Sequence, residues 1–402
     1  MIEVSWSQVS ARRLERQALA APSKGGTPAD VVAAMCGAHA QVMSAAELSV
    51  ALRLDGATRV DVRRALWEER TLVKTYGPRG TVHLLPARDL PMWVDALSRL
   101  PLGHNAFPEG IRMTAEQTAE VIEAIRVVLD GRDLTIDELN DAVVGLTGPW
   151  AGDLVMPAFQ TMWPRWRQAM ATAAHHGAFV FGPPRGRKVT YTSPPPSPAP
   201  APAAVPAEEA TGAGAHAEER APGGGAALDG AVELLRRYLT GYGPATPEQF
   251  ARWIGAPRSW AARVFEAAGP EPVAFHGGTG WVVPGDIAAP AQPPAGVRLL
   301  PYFDAYVIAG RPRELLYPGA ANSRALAGGQ AGNFPVLLVE GTVAGVWHQR
   351  RSGRRIRVTV ETLRPLTRAQ YRELDDQVAR VGEILQGRPE LTLGPVAVGP
   401  HA

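Results

Sequence analysis

Two polar side chains, His39 and Gln41, stand two residues apart in Gly37-Ala-His39-Ala-Gln41, inside an otherwise apolar stretch. On a regular helix such a pair would point to roughly opposite sides, given about 3.6 residues per turn. The flanking pattern places them in a connection instead. Val31, Val32, Met35 and Cys36 lie at the spacing of one helical face, and Gly37 stands where a helix would stop. Ser44-Ala-Ala-Glu47 then predicts a capping box that opens a second helix through Leu48, Ala51 and Leu52. In a loop between two helices an imidazole and an amide can converge on one point. That makes the pair a candidate for holding a water or a ligand.

The elements that must position this pair belong to a long chain. Its 402 residues predict roughly two to four domains. Hydrophobic residues make up 46% of it, a globular composition, and no apolar run reaches the length a membrane helix needs. The N-terminus lacks a basic region followed by an apolar core, so no secretion signal is expected. A single cysteine, Cys36, excludes internal disulfides and cysteine-rich metal sites, which fits a reducing cytoplasm. Neither a metal nor a cofactor is called for. Net charge is only +2, weak support for nucleic-acid binding by itself. Three of the 41 basic residues are lysines (Lys24, Lys74 and Lys188) and the rest are arginines. A GC-rich coding bias accounts for much of that total, so the local clusters need their own argument.

Residues 194–227, opened by Pro194-Pro-Pro-Ser-Pro-Ala-Pro and closed around Pro222-Gly-Gly-Gly, carry no aromatic and almost no branched apolar residue. Such a segment cannot offset its ordering entropy and is expected to be a disordered linker. Around it one pattern recurs three times: a capped helix, a break, a second helix and a β-hairpin with a Gly-rich tip. The clearest copy has Thr246-Pro-Glu-Gln249 as a helix start, Phe250, Trp253 and Ile254 as its apolar face, a turn at Gly255-Ala-Pro257, and a second helix over Ser259–Ala268. A hairpin around Gly277-Gly278 follows. The first copy runs from a helix at Arg59–Arg70 into strands on either side of Gly77-Pro-Arg79-Gly80, and the second ends in a hairpin around Arg185-Gly186-Arg187-Lys188. Helix-turn-helix followed by a hairpin is the winged-helix plan, and three copies support one another. Beyond Val297 strands take over, with turns at Glu340-Gly341 and Ser352-Gly353 and a closing helix over Arg368–Gln386. The expected architecture is α+β: a winged-helix unit with the His-x-Gln loop at 1–100, a second at 101–193, the linker at 194–227, a third at 228–292, and an antiparallel β-domain at 293–402.

Several other constellations carry chemistry. Arg350-Arg351-Ser-Gly-Arg354-Arg355 puts four arginines on a two-residue hairpin turn. Packed guanidiniums repel one another unless an anion is present, so a phosphate backbone is the natural partner, each neutralised phosphate releasing counterions. The competing reading is a solvated hairpin that guards a sheet edge. Arg185, Arg187 and Lys188 have the same character, and Arg79 stands at the tip of the first hairpin. Arg12, Arg13 and Arg16 lie on a helix with Val9 and Leu14, where phosphate contact competes with a solvated helix face. His175 and His176 are adjacent and face different ways, a poor metal pair, and His83 reads as a strand residue. Asp304, in Leu299-Leu-Pro-Tyr-Phe-Asp304-Ala-Tyr306, is a carboxylate in an apolar setting and reads as a hydrogen-bonded anchor. No nucleophile elbow, phosphate-binding glycine loop or paired-carboxylate signature is present.

Taken in order, Ala38-His-Ala-Gln41, Arg79-Gly-Thr-Val-His83-Leu, Phe181-Gly-Pro-Pro-Arg-Gly-Arg187, Leu299-Leu-Pro-Tyr-Phe-Asp304-Ala-Tyr306 and Val343-Ala-Gly-Val-Trp347 resemble the AlkZ/YcaQ-type bacterial DNA glycosylases with tandem winged helices. The resemblance spans nearly the whole chain apart from the linker. It implies removal of alkylated purines, N7-substituted and extending to bulky or crosslinked adducts, from double-stranded DNA. It also implies a monomer in the cytoplasm, associated with the nucleoid. The family's catalytic Gln-x-Gln or Gln-x-Asp pair maps onto His39 and Gln41, with histidine as the departure at the first position. Alkylation at N7 makes the purine cationic, so it leaves without a general acid. What remains is to place a water near C1′ and stabilise an oxocarbenium-like transition state. Gln41 would orient that water, and His39 could also accept its proton. No lysine near the motif offers a Schiff base, so the reaction expected is monofunctional. The competing reading is a winged-helix DNA-binding protein without catalysis, a lesion sensor or a transcriptional regulator.

Overall fold

The computed structural model describes residues 1–101, 107–158, 161–196, 228–288, 290–326 and 328–399. The expected linker lies outside the described residues from 197 onward. Capping boxes start most of the helices that the sequence marks. Thr27 with Asp30 opens Pro28–Ala34, Thr58 with Asp61 opens Arg59–Trp67, and Thr246 with Gln249 opens Pro247–Ile254. Thr114, Thr135 and Thr367 do the same for Ala115–Leu129, Ile136–Thr147 and Arg368–Leu385. The box expected at Ser44–Glu47 does not form. That helix, Met43–Ala51, begins earlier and has no side-chain cap. Glu47 is buried and receives Arg63 Nε at 2.6 Å and Nη2 at 3.1 Å, an ion pair that holds the carboxylate away from the helix start.

Three sheets organise the strands around these helices. The first has six strands in the order Ala38–His39, Val82–Pro86, Leu72–Tyr76, Val180–Arg185, Lys188–Thr192, Leu134–Thr135. The first and second hairpins therefore meet edge to edge, at Lys74 opposite Phe181. The third hairpin, Glu271–Phe275 with Gly278–Val282, takes Glu3–Val4 as a parallel third strand. The last sheet orders Val297–Leu300, Val336–Val339, Thr342–Ser352, Arg355–Thr362 and Arg388–Leu393. It is antiparallel except at its final pair, where Arg388–Leu393 returns from the closing helix and runs parallel to Arg355–Thr362. The expectation of a wholly antiparallel domain misses that strand, because a helical crossover between two strands returns the chain in the same direction. A lone hairpin, Leu154–Pro157 with Met162–Pro164, stands apart from these sheets.

One core runs through segments far apart in the chain. Val32, Leu48 and Val62 pack in the same buried cluster as Leu234, Phe250 and Val264, and as Leu299, Trp347, Val358 and Leu374. The stretch from Met113 to Tyr191 builds a second cluster around Trp166 and Phe179. Two buried charges join the N-terminal helices to the C-terminal sheet. Arg53 and Asp304 have fully buried side chains and pair through two contacts of 2.8 Å, Nη1 to Oδ2 and Nη2 to Oδ1. Asp304 also accepts from Ser49 Oγ at 2.6 Å and from the Tyr306 backbone N–H at 3.0 Å, capping the short helix Ala305–Ala309.

Removing one partner of such a pair leaves the other charge buried and uncompensated, which costs about 3–5 kcal/mol. Arg53→Met and Asp304→Leu are each expected to lower unfolding stability on that scale in urea titrations. The double variant is expected to lose less than the sum of the two. Strict additivity would mean that the pair does not tie the two regions together.

Candidate active site

The His39 segment is an edge strand rather than the expected loop. Gly37 adopts φ 91°, a left-handed turn out of the preceding helix that few other residues tolerate. It lays Ala38 and His39 antiparallel along Val82–Pro86, with His39 opposite His83, and Ala40 N–H donates to the Val82 carbonyl at 2.7 Å. An exposed strand edge has unpaired backbone groups, and pairing them outcompetes an irregular loop. Space at this edge is tight. A Cβ on Gly37 would come within 2.9 Å of the Leu85 side chain, and one on Gly77 within 2.8 Å of the His83 ring.

His39 is only 8% exposed. Its ring stacks on Phe303 at 4.6 Å and 29° between planes, and meets the His83 ring edge-on at 5.1 Å and 67°. Nδ1 is sealed in without a hydrogen-bond partner among the described residues, so Nε2 is the nitrogen left to the adjoining cleft. Burial first, and the charge of Arg79 second, lower its pKa from 6.5 to about 4, so the imidazole is neutral at neutral pH. His83 lies 2.8 Å through Nδ1 from the Thr81 carbonyl, which can only accept, so that nitrogen carries the proton. Burial holds its pKa well below the ordinary value as well. His175 turns inward, with Nε2 3.1 Å from the Gly77 carbonyl, while its neighbour His176 faces solvent.

The cleft beside His39 has a volume of about 440 Å³ and is walled by Arg79, Arg252, Arg311 and Arg313. Two of these are tethered. Arg79, at the tip of the first hairpin, donates through Nη1 to the Trp253 carbonyl. Arg313 donates to the Val307 carbonyl and, at 2.6 Å, to that of Ile308. Burial lowers the Arg313 pKa to about 10. The sequence reading missed Arg252, Arg311 and Arg313. The one signal it offered was the arginine pair around Pro312, soon after the quoted Leu299–Tyr306 segment.

Of the residues singled out in the sequence, His39 and Arg79 come together in this cleft, and Gln41 stands exposed outside its lining. Arg12 is buried, its Nη1 on the Asp286 carbonyl at 2.5 Å. Expected to meet phosphate, it braces the interior instead. Arg13 is buried as well, and Arg16 pairs with Asp286. Arg185 and Lys188 pair with Glu138 and Asp137, each at 2.9 Å, while Arg187 is exposed between them. Arg351 donates to the Leu385 carbonyl at 2.8 Å and Arg355 pairs with Glu390 at 2.9 Å. The guanidiniums of Arg350 and Arg354 are exposed and have no partner among the described residues.

Residues 32–384 match the family described as DNA glycosylase AlkZ-like. An interstrand DNA cross-link repair glycosylase of Streptomyces sahachiroi is 30% identical over 356 residues, which cover 86% of this chain and 88% of that protein. The solved structure of Streptomyces sahachiroi DNA glycosylase AlkZ matches the chain with a TM-score of 0.74 and 26% identity, covering 98% of this chain and 100% of that one.

The depressed pKa of His39 has a consequence for stability. Between pH 6.5 and about 4 the unfolded chain binds a proton at this residue and the folded chain does not. Stability therefore falls as pH drops through that window, by up to about 3 kcal/mol from this residue alone. His83, His175 and His176 are shifted in the same direction and add to the slope. Thermal melts are expected to show the midpoint falling between pH 7 and pH 5, and less steeply in His39→Gln. An identical slope in the variant would place the proton uptake elsewhere.

Proposed function

The chain belongs to the AlkZ-like DNA glycosylase family, and from that premise we propose that it hydrolyses the N-glycosidic bond of N7-alkylated purines in duplex DNA, with His39 and Gln41 handling the attacking water. The observation that carries this reading is a neutral imidazole with one nitrogen open to an arginine-walled cleft. A cationic purine is already a good leaving group, and its departure leaves positive charge on the sugar. A protonated histidine there would oppose that charge, and a neutral one does not. With so good a leaving group, water attacks an almost formed oxocarbenium ion, so even a weakly basic nitrogen suffices to take its proton. Gln41, exposed in the bend two residues after His39, orients the water. None of the three lysines lines the cleft, in keeping with a monofunctional hydrolase.

The relative from Streptomyces sahachiroi is named for interstrand cross-link repair, and the proposed substrates extend accordingly to bulky and crosslinked purines. An open cleft, rather than a closed pocket, suits an adduct too large to be enclosed. The three helix–helix–hairpin units are read as winged helices that carry a monomer around duplex DNA. The tips at Arg185, Arg187 and Lys188 and at Arg350, Arg351, Arg354 and Arg355 lie against the phosphates. Among the last four, Arg350 and Arg354 have no partner to give up among the described residues, so they carry most of the electrostatic binding.

Base release from duplex DNA containing an N7-alkylguanine, read by alkaline cleavage of the abasic site, tests the chemistry. His39→Ala and Gln41→Ala are each expected to slow release by about 10²-fold or more while DNA binding persists, the scale of a lost proton-handling group. Unchanged rates in both would remove the motif from the reaction. Binding without excision across N7, N3 and bulky adducts would instead identify a non-catalytic DNA-binding protein.

A separate measurement addresses the hairpin. Arg350→Ala with Arg354→Ala is expected to flatten the salt dependence of binding by about two units of log–log slope. Arg351→Ala with Arg355→Ala should flatten it less. An unaltered slope in the first pair would leave these arginines as solvated charges.

A further inference from the structure

The arginine-walled cleft beside His39 holds more positive charge than the protein neutralises. Four guanidiniums face it, and no carboxylate lines it among the described residues. Arg79 and Arg313 are fixed on backbone carbonyls, whereas Arg252 and Arg311 have side chains with no hydrogen-bond or ion-pair partner among the described residues. Glu314, the acidic group whose field reaches Arg311, is itself engaged by His276 Nε2 at 3.3 Å. The charges disfavour one another: burial and then Arg252 lower the pKa of Arg311, and Arg311 acts in the same way on Arg79 and Arg313. Their scaffold keeps them together nonetheless. Arg311 is pinned through its carbonyl, which accepts from the buried Arg13 at 2.6 Å, and Arg252 rides on the helix Pro247–Ile254 that packs under the first hairpin's tip.

We infer that Arg252 and Arg311, backed by Arg79 and Arg313, clamp the phosphodiester groups flanking the damaged nucleotide, and that the cleft breaks the glycosidic bond efficiently only with those phosphates in place. The inference rests on the glycosylase reading of His39 for its second half alone. Guanidinium forks match the paired oxygens of a phosphodiester. An empty cluster of four cations would oppose the positive charge that grows on the sugar as a cationic base leaves. Phosphates on both sides of that sugar reverse the local field and hold C1′ against His39. The substrate thus brings the negative charge that the protein omits. An undamaged run of DNA offers the same phosphates, so the clamp supplies grip and field, and the lesion supplies the leaving group.

The test pairs a protein change with a substrate change. Duplexes carrying one N7-alkylguanine are made with either ordinary phosphates or uncharged methylphosphonates flanking the lesion. Affinity and single-turnover release are measured for wild type, Arg252→Ala/Arg311→Ala and the corresponding double lysine variant. Wild type is expected to lose about tenfold or more in affinity on the neutral backbone, the scale of two lost phosphate contacts, and to release base more slowly at saturating enzyme. The double alanine variant is expected to bind both duplexes equally, with a salt slope flatter by about two units, and the lysine variant to recover part of the difference. Arg252 is exposed, so the single Arg252→Ala variant, with an unchanged melting temperature, guards against misfolding. Wild type that treats both backbones alike, or a double alanine variant that still tells them apart, overturns the clamp. His39→Ala separates the two readings: it should abolish release yet keep the affinity difference. If no lesion is released at all, the affinity arm still decides the clamp.

Discussion

The buried pair between Arg53 and Asp304 is the constraint on which the rest depends. Two fully desolvated charges are tolerated only where geometry and extra hydrogen bonds compensate for lost water. Here the pair is bidentate, Ser49 adds a third donor, and the Tyr306 backbone adds a fourth. These contacts fix the segment 301–306 against the helix Met43–Ala51 and the residues just after it, more than two hundred positions away in the chain. Phe303 lies one residue before Asp304, at φ 56°, and its ring forms the wall on which His39 stacks. The position of the imidazole is therefore set from both ends of the sequence. Its strand comes from the N-terminal sheet, and its stacking partner from the segment that the ion pair holds.

Other arginines repeat this use of charge as a brace. Arg13 reaches the carbonyls of Gly243, Pro244 and Arg311, joining the N-terminal helix to both later regions. Arg380 reaches back from the closing helix to the carbonyls of Ala51, Leu54 and Ala57, at distances of 2.6–3.1 Å. A guanidinium has five donors on a planar fork and a charge that survives burial, so it can satisfy several carbonyls at once. That is why the arginine count predicts so little about a nucleic-acid surface. Many of these side chains hold the molecule together, and the ones freest to take an anion are those with no carbonyl or carboxylate in reach.

Local signals in the sequence were legible wherever they rest on short-range physics. Capping boxes, hairpin turns and helical spacing depend on a few neighbouring residues, and they marked the helices Pro247–Ile254, Arg258–Ala268 and Arg368–Leu385 to within a residue or two. Asp304 was readable as an anchor because a carboxylate among apolar residues must find partners. Arg53, its partner, carried no such mark. The Ser44–Glu47 box failed because a distant arginine captured its carboxylate, and the loop around His39 became a strand because an open edge lay beside it. The cleft was illegible for the same reason. Arg252 and Arg311 lie 59 residues apart and converge only through packing. A single cationic residue has no periodicity to betray it.

The histidine at the first position of the motif departs from the glutamine of the resembling family, yet its surroundings narrow the chemical difference. A glutamine is neutral at any working pH and offers hydrogen bonds without titrating. An ordinary surface histidine would be partly charged near pH 6.5. Burial against Phe303 and His83, with Arg79 nearby, brings His39 down to about 4 and keeps it uncharged across the neutral range. With Nδ1 sealed, it also presents a single nitrogen to the cleft, much as an amide presents one end. What distinguishes it is a ring nitrogen lone pair more basic than an amide oxygen, held on a flat ring that stacking keeps from rotating. In the proposed reaction that difference favours proton acceptance over orientation alone. The same packing that removes the charge thus suits the proposed role, and the ring, even with its pKa lowered to about 4, stays more basic than the amide it replaces.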